Sequence, residues 1–144
     1  MTTVATDGAT MACDGRGCKG DIILAEDGCK ILRLGDGSLL GVAGNASTQY
    51  QLAKWIEGRG EFPNDANFGA VHLLVDGQAR LYASDGGEYY AEVDLPLAIG
   101  SGAELALGAM LAGASPQKAV LIASRRDPFT GGTISTLHLE KDDA

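Results

Sequence analysis

No apolar run in this chain approaches the 18 or so residues that a membrane-spanning helix needs, so no transmembrane segment is expected. Positive charge is scarce. Eleven Lys and Arg stand against 19 Asp and Glu, for a formal net charge of −8. That balance argues against double-stranded nucleic acid or an anionic membrane as the main partner. The N-terminus has no basic segment leading into an apolar core, so no signal peptide is expected and a cytoplasmic location is. Cysteine and histidine are few: three Cys, an odd count, and two His. An intracellular chain gives no reason to expect disulfides. Cys13, Cys18 and Cys29 lie far in sequence from His72 and His138, so no four-ligand metal site is read from them and buried structural thiols are expected. No repeat, linker or low-complexity stretch divides the 144 residues, which read as one domain over 1–144 with a frayed charged tail at 140–144.

What the chain does have is a threonine at position two. Removal of Met1 would leave Thr2 first, carrying a hydroxyl and a free α-amine on one residue. An α-amine has a reference pKa of about 7.7–8, so part of it is neutral at working pH and can serve the hydroxyl as a base. A cleaved leader would destroy this arrangement. Asp14 and Lys30 follow, sixteen residues apart. Read alone, Asp14 is a hairpin-end turn residue and Lys30 a solvated strand lysine.

The rest of the chain alternates strands and helices. Thr2–Thr6 and Ala9–Cys13 read as a hairpin around Asp7-Gly8, a turn signal of the I′ type. Residues 15–20 are glycine-rich and read as a loop, followed by short strands at Ile22–Ala25, Lys30–Leu34 and Ser38–Val42. A helix begins with Ser47 or Thr48 as its cap and stops at Gly58 and Gly60. Strands follow at Val71–Val75, Ala79–Ala83 and Tyr89–Val93. His72 on the first of them reads as a structural, sheet-face histidine. Residues 96–102 hold a strand end and helix cap, and Ala103–Ala114 is apolar at helical spacing. Ser115-Pro116 opens a further helix through Ser124. Thr133–Leu139 is the last strand. Strand groups broken by helix groups fit a layered α+β sandwich.

Several motifs in this order resemble the proteasome β-subunit family of N-terminal nucleophile (Ntn) hydrolases, and within it the HslV-type peptidases. TTVA resembles the family's mature start, and ACDGR its A-x-D-x-R/Q stretch, with Asp14 as the aspartate. CKILRL resembles K-K-V-x-x-L, with Lys30 as the lysine at the family spacing. VAGNA places Gly44 as the oxyanion glycine, and AIGSGA places Ser101. RRDPFTGG resembles R-D-x-x-S-G-G and places Asp127 and Thr130, the latter a Ser-to-Thr departure. The first hairpin is about four residues shorter than usual, and taking two from each arm preserves alternation and the aim of Thr2. Only about ten residues join Gly60 to the next strand, where a second long helix is usual.

The resemblance implies a compact four-layer αββα sandwich and amide hydrolysis through an acyl-enzyme. Thr2 Oγ would attack and its amine take the proton. Lys30 would favour the alkoxide, Asp14 hold Lys30, and the Gly44 N–H bind the oxyanion. Ser101, Asp127 and Thr130 would orient amine and water. The positions resembling the substrate pocket are Gly17, Cys18, Gly28, Leu32, Val42, Ala46 and Tyr50, none charged, which implies an apolar or aromatic preference before the cleaved bond. No cofactor is required; some members hold a structural Na, K or Mg ion, here near Ser124, Asp127 and Thr130. Implied partners are unfolded polypeptides, further copies in double hexameric or heptameric rings, and an AAA+ unfoldase ATPase. The competing readings are an Ntn amidase for a small molecule and a catalytically silent ring subunit. A cysteine hydrolase using Cys13 or Cys18 is more distant.

Overall fold

The computed structural model describes residues 2–64, 67–83 and 93–140. Strand β1 (Thr3–Thr6) pairs antiparallel with β2 (Thr10–Cys13). The turn between them is not type I′. That type needs positive φ at both central residues, and here Gly8 has φ 97 while Asp7 does not share it. The Asp7 carboxylate instead accepts from the N–H groups of Ala9 and Thr10, an Asx-type turn.

The stretch read as a loop at 15–20 contains strand β3 (Gly17–Lys19), which pairs with β4 (Ile22–Ala25) around a register shift at Gly17/Cys18. Glycine content hid a strand whose partner supplies the β-formers. Next come β5 (Ile31–Arg33) and β6 (Leu39–Ala43). Helix α1 (Ala46–Ile56) is capped by Asn45, so Ser47 and Thr48 lie inside it, with Thr48 buried. Gly58 follows its end at φ 74, a backbone state that glycine reaches without strain. Strands β7 (Gly69–Leu73) and β8 (Ala79–Ala83) come next, β7 starting two residues before the sequence expectation. The strand expected at Tyr89–Val93 lies outside the described residues but for Val93, which bridges Ala79. Strand β9 (Leu97–Gly100), helices α2 (Ala103–Leu111) and α3 (Pro116–Ser124), and β10 (Ser135–His138) complete the chain. Ser115 Oγ accepts from Lys118 N–H, which satisfies one orphan donor of α3.

These elements make two four-stranded sheets, ordered β10-β2-β1-β9 and β5-β6-β7-β8, and the β3-β4 hairpin. Strand alternation explains how the sheets stack. Val4 and Met11 point from the first sheet to meet Leu39, Val71 and Leu73 of the second. Their chain neighbours Ala5 and Ala12 point the other way, onto Ala106 of α2 and Val120 and Ala123 of α3. On the far face of the second sheet, Leu40, Val42 and Ala70 pack on Leu52 of α1. The layers therefore run helices, sheet, sheet, helix, the αββα arrangement expected. Phe62 and Trp55 meet edge-on at 4.9 Å, so the short segment after α1 covers sheet surface with no second helix among the described residues. No helix of the described residues is long and apolar enough to cross a membrane.

His72 sits in the α1-side layer, between Leu40 and Arg80 on the neighbouring strands. Ser38 donates to Asp36 at 2.5 Å, so its oxygen accepts from His72 Nε2–H at 2.8 Å. His72 Nδ1 is buried without a hydrogen-bond partner among the described residues. Burial pushes the imidazole pKa below its ordinary value; Asp36 works against this and Arg80 adds to it. Above about pH 6.5 the ring is neutral folded or unfolded, and below it the unfolded chain binds a proton that the folded chain resists. Stability contributed by neutral His72 is therefore lost as pH falls from about 6.5 toward the folded value. Melting temperature should drop between about pH 7 and 5.5, and His72→Gln should flatten that slope. An equal slope in the variant would exclude His72 as its source.

Candidate active site

Thr2 lies at the mouth of the first sheet, 1 % exposed, at the start of its central strand. The corner from β9 into α2 makes room for it. Gly100 has φ 97, and a Cβ there would overlap the Thr2 carbonyl. A Cβ on Gly102 would overlap Thr3 Oγ1. Both glycines of the IGSG stretch are thus required by the close approach of the first strand.

Asp14 follows β2 and is fully buried. Its Oδ1 accepts from Lys30 Nζ at 2.8 Å and from Thr3 N–H at 3.0 Å. Its Oδ2 accepts from Gly131 N–H at 3.0 Å and Arg16 N–H at 3.3 Å. Lys30 Nζ also donates to the Arg16 carbonyl at 2.6 Å, so the ammonium is held from two sides. Beside this pair, burial pushes the Cys13 thiol up to about 12, which makes it an inert core group.

Asp127 anchors the other flank. Its Oδ2 accepts from Ser101 Oγ at 2.5 Å and Thr130 Oγ1 at 2.6 Å, and its Oδ1 from Phe129 N–H at 3.1 Å. Burial works to raise its pKa, but the hydrogen bonds from Ser101, Thr130 and Phe129 outweigh it and hold the carboxyl below its usual range. Because Thr130 gives its proton to Asp127, its oxygen accepts from Thr3 Oγ1 at 2.7 Å. Thr3 therefore joins the two carboxylates, to Asp14 through its N–H and to Asp127 through Thr130.

A cavity of about 570 Å³ opens over these groups. Thr2, Lys30, Gly44 and Ser101 line it, as do Gly17, Cys18 and Ala46 from the residues expected at a substrate pocket. Gly28, Leu32, Val42 and Tyr50 do not. Gly28 N–H donates to the Gly15 carbonyl. Val42 is core beneath α1, and Leu32 packs on the same core. Tyr50 is 66 % exposed, with Lys54 over its ring. Leu32 on β5 and Val42 on β6 point their side chains to the α1 layer. The lining contains instead Arg16, Ala43, Asn45, Asn67 and Gly69. Gly44 has a packing reason of its own, since a Cβ there would come within 2.9 Å of Phe68 Cβ.

A cation here would take backbone carbonyls near Ser124, Asp127 and Thr130, and the side chains of these residues are engaged elsewhere. Ser124 Oγ donates to the Leu121 carbonyl within its own helix end. The Asp127 carboxylate already takes three donors, and its backbone carbonyl accepts from Thr130 N–H. No cluster of three His, Cys, Asp or Glu suited to a metal occurs among the described residues.

Sequence reasoning missed Thr3 and Arg16. Thr3 carried a signal in the Thr2-Thr3 doublet, but its partner Thr130 is 127 residues away and only the fold joins them. Arg16 stood inside the ACDGR motif with no role given. It pairs with Glu26 at 2.8 Å and donates to the Pro128 carbonyl at 2.9 Å, tying the loop after β2 to the turn before β10.

Thr3→Val should destabilise the fold by about 1–3 kcal/mol, because it leaves the buried Thr130 oxygen without its donor. Thr3→Ser should recover most of that loss in a urea titration. Equal stability of the Val and Ser variants would exclude the hydroxyl as the source.

No family model matches this chain, and no curated protein matches its sequence. Solved structures do match in three dimensions. Eukaryotic HslV from Trypanosoma brucei superposes with a TM-score of 0.75 at 19% identity, over 97% of this chain and 99% of that one. Thiobacillus denitrificans BPH gives 0.70 at 19% identity over 98% and 99%, and its complex with epoxomicin 0.71 at 17% over 97% and 99%. The chain therefore has the α+β, four-layer αββα fold of HslV and BPH, carried by a sequence that differs from theirs at four positions in five.

Proposed function

We propose that this chain is a threonine peptidase of the N-terminal nucleophile type, acting on unfolded polypeptide. The observation that carries the reading is the shared cavity of Thr2, Lys30, Gly44 and Ser101, with the Asp14–Lys30 ion pair of 2.8 Å beneath it. Once Met1 is removed, Thr2 Oγ attacks the scissile carbonyl carbon and its proton passes to the Thr2 α-amine, directly or through a water. Lys30, held in place by Asp14, lowers the energy of the alkoxide. The Gly44 N–H donates to the oxyanion. The tetrahedral intermediate collapses, the amine gives its proton to the leaving nitrogen, and an ester remains on Thr2. Water, activated by the same amine, hydrolyses that ester and returns the hydroxyl. Ser101 and Asp127 orient amine and water.

Self-association into stacked rings of six or seven copies would enclose this site, and an ATP-driven unfoldase would feed it. Ile22, Ile23 and Leu24 of the β3-β4 hairpin are 66, 49 and 65 % exposed, an apolar surface of the kind that subunit contacts cover. It supports the self-association reading.

The test is intact mass with and without epoxomicin, which the Thiobacillus protein takes in a solved complex. Loss of Met1 and one adduct mapped to Thr2 are expected, and none in Thr2→Ala. Lys30→Met should slow adduct formation by about a hundredfold or more. Retained Met1 with no adduct would remove the peptidase reading.

A further inference from the structure

We infer that Gly69 sets the size of side chain the cavity admits, and that the cavity takes a bulky uncharged side chain of a peptide substrate. The inference rests on the peptidase reading and deepens it.

Gly69 opens β7, paired with Ala43 on β6 and Ala83 on β8. By strand alternation it shares a face with Val71 and Leu73, which point into the space between the sheets. A side chain at 69 would enter that same space, at the end where the cavity over Thr2 opens. A glycine paired on both sides in a sheet gives up side-chain packing there, which calls for a reason. At Gly44, Gly100 and Gly102 the reason is a neighbouring atom that a Cβ would strike. At Gly69 no described atom lies within 4 Å of the Cβ position, and the backbone is outside the region that demands glycine. Packing among the described residues leaves this space open, and a strand glycine beside open space is where a ligand can approach the backbone.

The chemistry of the walls gives the class of side chain. Ala43, Ala46 and Gly17 leave the cavity wide. Both cations on its lining are engaged, Arg16 with Glu26 and Lys30 with Asp14, each at 2.8 Å. No carboxylate is among its described lining residues. A charged side chain would lose water without gaining a free counterion. A large neutral one would gain burial.

The experiment is a panel of fluorogenic peptides that differ only in the residue before the cleaved bond: Phe, Leu, Ala, Glu and Lys. The wild type should cleave the Phe and Leu peptides best, at about ten times the kcat/KM of Ala or more. Gly69→Val should lower the Phe-to-Ala ratio of kcat/KM about tenfold or more. Gly69→Ala should move the Phe-to-Ala ratio in the same direction by less, and it decides the matter if the Val variant melts early. An active wild type whose Phe-to-Ala ratio is the same in both variants overturns the inference, as does a preference for Glu or Lys. A wild type inert toward every peptide and toward epoxomicin overturns the peptidase reading, and this inference with it.

Discussion

A single buried carboxylate holds the site end of the molecule together. Asp14 is fully buried, and an ion in that position is tolerable only if its oxygens are saturated. Four donors from four stretches of chain do this: Lys30 from the edge of the second sheet, Thr3 from the first strand, Arg16 from the following loop, and Gly131 from the turn before the last strand. None of these stretches can shift far without uncovering a buried charge. The lysine beside Thr2 is therefore placed by the fold, and its cost is spread over contacts that also close the sandwich.

The rest of the site is defined by what is missing from side chains. Gly100 and Gly102 let the first strand lie against a helix start, and Gly44 lets the strand end approach Phe68. Alanines at 5, 12, 106, 119 and 123 bring the two C-terminal helices close to the first sheet. Close approach of backbone leaves the polar groups of Thr3, Thr130, Asp127 and Ser101 within hydrogen-bond reach of one another.

Much of the fold was legible because local pattern and tertiary context agree. Ile22–Ala25 and Ala79–Ala83 fall at the expected bounds, and Ser115-Pro116 starts α3 as a cap and first-turn proline should. Disagreements arise where a partner decides. Gly17–Lys19 becomes a strand because Ile22–Ala25 pairs with it, and α1 starts earlier because Asn45 already has the extended backbone of a cap. The site was legible as a set of motifs and not as a cavity. Spacing related Asp14 to Lys30, but nothing local announced that Val42 and Leu32 turn toward α1 and that Asn67 and Gly69 line the opening. That outcome depends on which face of β6 looks toward the other sheet, and a shift of one residue would reverse it.

The position of the first strand has a consequence for synthesis. Residues Thr3–Thr6 leave the ribosome ahead of the other strands of their sheet, yet they occupy its middle, between β2 and β9, with β10 beyond β2. Their neighbour Leu97–Gly100, and Ser135–His138 on the far side of β2, emerge on the order of ten seconds later at ordinary elongation rates. Through that interval the start of the chain has only its hairpin partner. Until the late strands dock, Thr2 stays open to solvent, and only the completed sheet buries it.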